Sequence, residues 1–226
     1  MTYLYLDIET IPAQDAAARE RIAATVKPPA TMKKAETIEA WERDQKPHAV
    51  SEAIAKTGLN GAYGHICCIG FAFGEGKVSS QTAQKVSEEA EIISSFFAVA
   101  KAAIGNHFPI IVGHNVSGFD IRFIWQRCIA LGIRAPVWLP RDPKPWDSDV
   151  FDTMTAWAGG ARDTISMDNL CAALGLPGKG EIDGSMIGTL FSEGRHAEIA
   201  DYCRADVERT RAIHRKMMVA FGEIAA

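Results

Sequence analysis

Four carboxylates and one phenol stand out from this chain: Asp7, Glu9, Asp120, Tyr202 and Asp206. Brought together, oxygens of these types could grip divalent cations beside a phosphodiester, a chemistry of hydrolysis. Asp7 and Glu9 lie in the run YLYLDIET, rich in aromatic and aliphatic residues and ending at Thr10-Ile11-Pro12, the pattern of a buried strand followed by a turn. Side chains alternate along a strand, so both acids share a face with Tyr3 and Tyr5, while Leu4, Leu6 and Ile8 take the other. Two carboxylates about 5 Å apart repel by roughly 3 kcal/mol at an effective dielectric of about 20, and a cation between them reverses the sign. An acidic strand end reaching into solvent is the plainer alternative.

Near the other end, HAEIADYCRADVERTRAIHRKMM has helical periodicity, with Ile199, Cys203, Asp206, Thr210, Ile213 and Met217 on one stripe. Asp206 therefore stands where an apolar residue is expected, and an inward carboxylate needs a cation or takes up a proton. Tyr202 lies one turn earlier, which puts phenol and carboxylate on neighbouring patches of one surface. Two plainer readings stay open: a half-buried aromatic for Tyr202, and a salt bridge from Asp206 to Arg204, Arg209 or Arg211.

Between them, PIIVGHNVSGFDIRFIWQRCIALG reads as a buried strand, a Gly-containing turn and an amphipathic helix with Asp120 in or near its first turn. There Asp120 could serve a metal or complement the helix dipole, with Ser117 as the cap. Asn115 is placed to bind a phosphate or simply to hold a turn. Phe119 is placed to stack on a base or to fill the core.

The three stretches DIET, GHNVSGFD and YCRAD resemble the three exonuclease motifs of the DEDD superfamily of 3'-to-5' exonucleases. Tyr202 and Asp206 reproduce the Tyr-x-x-x-Asp of its tyrosine branch (DEDDy), typified by the proofreading domain of family-B DNA polymerases. The histidine branch would need His where Asp201 stands. The likeness extends through nearly the whole chain, since GHICCIGFAF, SMDNLCAALGL and GKGEIDG look like the strands, helix and loop of free-standing exonucleases related to that domain.

The resemblance implies two divalent cations, Mg2+ or Mn2+, bridged by Asp7. Glu9 and Asp206 would complete the site of the ion that activates water, Asp120 would serve the second ion through its water shell, and Tyr202 would aim the water. One ion supplies hydroxide and the other stabilises the leaving 3' oxygen. Hard oxygen ligands suit these metals. The implied activity is 3'-to-5' hydrolysis of single-stranded or frayed DNA to 5'-mononucleotides, with Asn115, Phe119 and Lys179 as substrate-binding candidates. For Lys179 a solvated loop lysine is the plainer reading.

Strand-like segments near Tyr3 to Glu9, Gly64 to Gly74 and Lys77 to Gln84, then a helix over Ser87 to Ala103 and a strand at Pro109 to His114, fit an α/β ribonuclease H-like fold. That fold is a mixed central sheet with helices on both faces. The 226 residues, 47% of them hydrophobic, are read as one exonuclease domain spanning 1–226, with no room for a polymerase module. A partly helical insertion at about 13–62 interrupts it, with helical composition over Ala16 to Ala24 and Lys33 to Lys56 and a break at Lys27-Pro28-Pro29. Because the strand carrying Asp7 and Glu9 feeds this insertion, it is expected to form a wall or lid near the site. Pro-rich PRDPKPWDSDVFDT is read as a loop in which Asp152 either supports the site or caps the next helix.

The net charge of −4 argues against a broad basic surface and tight duplex binding, although a short 3' end held by cations needs few lysines. Five cysteines without a CxxC pair read as reduced core residues, and with no signal peptide or membrane span the expected location is cytoplasmic, away from membranes. His114 reads as a structural hydrogen-bonding residue. Competing functions are an exoribonuclease or short-oligonucleotide scavenger, and a catalytically silent nucleic-acid-binding module. A phosphatase of the haloacid-dehalogenase type would want aspartate where Glu9 stands.

Overall fold

The computed structural model describes residues 2–144, 147–161, 164–178 and 180–225. Its strands are β1 (Tyr3–Ile11), β2 (His65–Phe73), β3 (Ser79–Thr82), β4 (Ile110–Gly113) and β5 (Val150–Asp152). Its helices are α1 (Ala16–Thr25), α2 (Ala35–Asp44), α3 (Lys46–Ala55), α4 (Glu89–Ile104), α5 (Asp120–Leu131), α6 (Thr153–Ala158), α7 (Met167–Ala173), α8 (Ile187–Ser192) and α9 (His196–Ala220). The sheet runs β3-β2-β1-β4-β5, antiparallel through the first three strands and parallel from β1 onward. This is the mixed α/β sheet expected of the ribonuclease H-like class.

β1 is central, and its alternation decides the architecture. Leu4, Leu6 and Ile8 face a core built with Ile93 and Phe96 of α4 and Phe123 and Ile124 of α5, each no more than 4% exposed. A side chain buried to that degree contributes about 1.5–3 kcal/mol. On the other face Tyr5 meets Val207 of α9, while Ile11 packs with Ile187 and Leu190 of α8 and with Tyr202 and Cys203 of α9. Gly70 of β2 lies opposite Asp7. A Cβ there would fall 2.8 Å from the Cys203 Sγ, so the missing side chain lets α9 settle onto the sheet beneath Asp7.

The insertion leaves and rejoins the sheet at one rung, because Ile11 and His65 are register partners. The stretch of helical composition over Lys33 to Lys56 forms two helices that break at Gln45. Pro47 falls in the first turn of α3, where its missing N–H costs nothing but where it cannot continue the helix before it. The trailing end is clamped to the core. Gln126 Oε1 accepts the Gly61 N–H at 3.0 Å, and Arg127 Nη1 donates to the Gly61 carbonyl at 2.8 Å.

Arg127 also forks onto Glu89 with two bonds of 2.8 Å, and the same carboxylate accepts the Ile66 N–H at 2.8 Å. Burial pushes the Glu89 carboxyl up, but the bonds from His65, Arg127 and Ile66 prevail and hold it below the ordinary carboxylate value.

The third strand is shorter than the Lys77 to Gln84 expected, since β3 is an edge strand paired only opposite Cys68 to Phe71. β5 was not anticipated: three residues inside a Pro-rich stretch are too few to show alternation.

Candidate active site

Asp7 and Glu9 project from the centre of the sheet toward α9. Ligand atoms of Asp7, Glu9 and Cys203 lie within 4.8 Å of one another. The Cys203 thiol reaches the Asp7 Oδ2 at 3.3 Å. A bulge interrupts the β1–β2 ladder between Glu9 and Thr10, a local twist of the kind that re-aims side chains beside functional sites.

Asp120 comes to the same place from the opposite layer. β4 pairs with β1 only as far as Tyr5, and beyond that point the Ile8 N–H donates to Asp120 Oδ1 at 2.9 Å. The expected Ser117 cap is not made: the N-cap of α5 is Phe119, without a side-chain bond. Asp120 is thus drawn across to the strand bearing the other acids and is 4% exposed.

The preceding loop is latched by Asp152, which accepts the Asn115 N–H at 2.9 Å and the Ser117 N–H at 3.1 Å while also capping α6 through Met154 and Thr155. Both roles considered for Asp152 are therefore filled at once. Asn115 adopts a left-handed φ of 59°, and its amide oxygen lies over Gly118, where a Cβ would come within 2.5 Å. Phe119 is half-buried, packed on Phe123 with ring centroids 5.5 Å apart. His114 is structural: its Nε2 donates to the Ile165 carbonyl at 2.9 Å, since a carbonyl can only accept, and its Nδ1 meets the Thr153 hydroxyl at 3.0 Å.

From α9, Tyr202 and Asp206 complete the group, 7% and 4% exposed. Arg209 Nη1 donates to Asp206 Oδ1 at 2.5 Å, so the alternative of a salt bridge at Asp206 is realised. Arg209 Nε also donates to the Gly178 carbonyl at 3.3 Å, beside Lys179, which lies outside the described residues, as does Trp146.

Electrostatics bind these residues into one unit. Burial pushes the Asp7 carboxyl well above its ordinary value, and the charges of Asp120 and Asp206 push it further. Burial likewise raises Asp120, against the pull of the Ile8 and its own N–H bonds. The Tyr202 phenol is raised by burial and then by Asp206, Glu9 and Asp7, so it stays protonated and acts as a donor. Carboxylates crowded in this way, with Asp7 and Asp120 resisting ionisation, offer hard oxygen donors that fit Mg2+ or Mn2+.

Cys203 is the neighbour that sequence reasoning filed as core. Its signal is faint: a small apolar residue between Tyr202 and Asp206, opposite the Gly70 that admits it.

A mixed sheet with acids on its central strand, at the head of a crossing helix and on the long last helix is the layout of a ribonuclease H-like exonuclease. Residues 64–226 match the family model described as "Predicted 3'-5' exonuclease related to the exonuclease domain of PolB", and the chain belongs to that family. The match takes in Asp120, Tyr202 and Asp206 and begins after the strand holding Asp7 and Glu9.

Among solved structures, the fold is similar to the family B DNA polymerase from the hyperthermophilic archaeon Pyrobaculum calidifontis, with a TM-score of 0.60 and 15% identity. The alignment covers 96% of this chain and 24% of the polymerase chain, and at that identity it speaks for the fold. No curated protein matches.

Proposed function

We propose that this protein is a metal-dependent 3'-to-5' exonuclease of the tyrosine branch that removes nucleotides from single-stranded or frayed DNA 3' ends. The observation that carries the reading is the meeting of Asp7 and Glu9 with Asp120, Tyr202 and Asp206, from β1, α5 and α9, in one electrostatic cluster. Asp7, Glu9, Asp120 and Asp206 would hold the cations. When bound, Mg2+ or Mn2+ supplies hydroxide near neutral pH and neutralises charge on the phosphate and the leaving oxygen.

The protein's own contributions follow from the geometry. Tyr202, kept protonated, donates a hydrogen bond that orients the attacking water. A new P–O bond forms to the water oxygen, the P–O3' bond breaks, and the departing 3' oxygen takes up a proton, leaving a 5'-mononucleotide. Asp120 is held in place by the Ile8 N–H, and its loop by Asp152. Asn115 and Phe119 in that loop, with Lys179, are the candidate contacts to substrate.

We read the whole chain, 1–226, as one such domain, working in the cytoplasm, where its five buried free thiols would stay reduced. Incubating a 5'-labelled oligonucleotide with Mn2+ should give a ladder of shortened products, absent in EDTA and with Asp7→Asn. An untouched substrate across metals and pH would overturn the reading. Matched DNA and RNA substrates decide the sugar, and tight binding without turnover would instead mark a silent binding module.

A further inference from the structure

Beyond the carboxyl-terminal end of β1 lies a groove of about 670 Å3, walled on one side by the insertion and on the other by α8 with the 3-10 turn before it. Among the described residues its lining includes Arg19 and Lys56 and no carboxylate, although the chain as a whole carries a net charge of −4. A second cleft of about 710 Å3, beside β5, sets Lys144 against Asp147, Asp152 and Glu223. A polyanion is therefore attracted to the first and repelled by the second.

The groove surface allows close approach at the exposed Gly184, and Ser51 is exposed on the insertion side. The exposed Leu59, at 62%, offers a large apolar face. The insertion wall is fixed, since Thr10 Oγ1 donates to the Gly58 carbonyl at 2.7 Å and the Ala13 N–H donates to Thr57 Oγ1 at 2.8 Å. Glu9 and the groove residue Pro12 are three positions apart, about 10 Å along an extended strand, so a chain lying in the groove can end at the carboxylates.

We propose that this groove is the track for the single-stranded polynucleotide just upstream of the 3' end, with Arg19 and Lys56 against its phosphates and Leu59 beneath a base. The inference rests on the exonuclease reading. The matched family region begins at residue 64, after the wall carrying Arg19 and Lys56. Such contacts supply affinity without reading sequence.

The test is the double variant Arg19→Ala/Lys56→Ala, two exposed residues whose loss leaves the core intact. On a long oligothymidylate, KM should rise about 5- to 20-fold with kcat unchanged, while a thymidylyl dinucleotide, too short to enter the groove, is cut at the wild-type rate. Anisotropy titrations of the long oligonucleotide in Ca2+ should show the slope of log affinity against log salt shrinking by about 1.4, the release expected of two phosphate contacts on a single strand. An unchanged KM and salt slope, or equal losses on both substrates, overturn the groove and leave the exonuclease standing. A wild-type protein that cuts neither substrate sinks the exonuclease reading instead.

Discussion

Replacing Asp7 by Asn should make the metal-free protein more stable while abolishing its activity. The ligand atoms of Asp7 and Glu9 lie within 4.8 Å, and at an effective dielectric of about 20 two charges at that distance repel by about 3 kcal/mol. Asn keeps an oxygen to accept from the Cys203 thiol but carries no charge.

The sign follows from the raised Asp7 carboxyl. A group held above its unfolded value favours the fold at acid pH and loses that contribution as pH rises through its folded value. The gain from Asp7→Asn is therefore absent in acid and grows from the ordinary carboxylate range toward neutrality. Part of the repulsion is relieved by protonation, so the expected gain at neutral pH is about 1–3 kcal/mol, or roughly 3–10 °C in Tm for a chain of this size.

Differential scanning calorimetry in EDTA across pH, repeated with millimolar Mn2+, measures it. Wild type should rise with Mn2+ much more than the variant, reversing or closing the gap. If Asp7→Asn melts at or below wild type in EDTA at every pH, the carboxylates are not mutually strained and the argument for cation binding fails.

Tyr202→Phe should keep the ring packed against Ile11 and Leu190 and lose about 100-fold in kcat through misoriented water, with Mn2+ affinity by calorimetry unchanged. Arg127→Met strands the buried Glu89 charge and should cost about 3–5 kcal/mol in urea unfolding, with faster amide exchange around Gly61. Burial depresses His214 to about 4, so the fold loses stability as pH falls from its unfolded value near 6.5 toward 4. The loss should be roughly 1–2 kcal/mol at about pH 5, and His214→Gln should flatten it in thermal melts compared at pH 7 and 5.

Long periodic elements were the legible part of this fold. β1 shows its two faces in alternating residues, α9 shows its buried stripe over many turns, and Asp206 is conspicuous because it interrupts that stripe. The position of Asp120 was harder to read, because Ser117 and a helix start gave it a sufficient local explanation. What draws it to β1 is an N–H that becomes available only where β4 stops pairing, a tertiary fact. Cys203 was hidden for the same kind of reason, its contact with Asp7 depending on a glycine in another strand. β5 is too short for any period to register, and the break at Gln45 was masked by helix-favouring residues on both sides of Pro47.

The pairing of Ile11 with His65 has an evolutionary corollary. An excursion of some fifty residues whose two stems sit on one rung, roughly 5 Å apart, replaces what a hairpin turn would otherwise do. Such a cassette can be lengthened, traded or trimmed to a tight turn without shifting the strands on either side. The register of β1 against β2 is thereby independent of what the cassette contains.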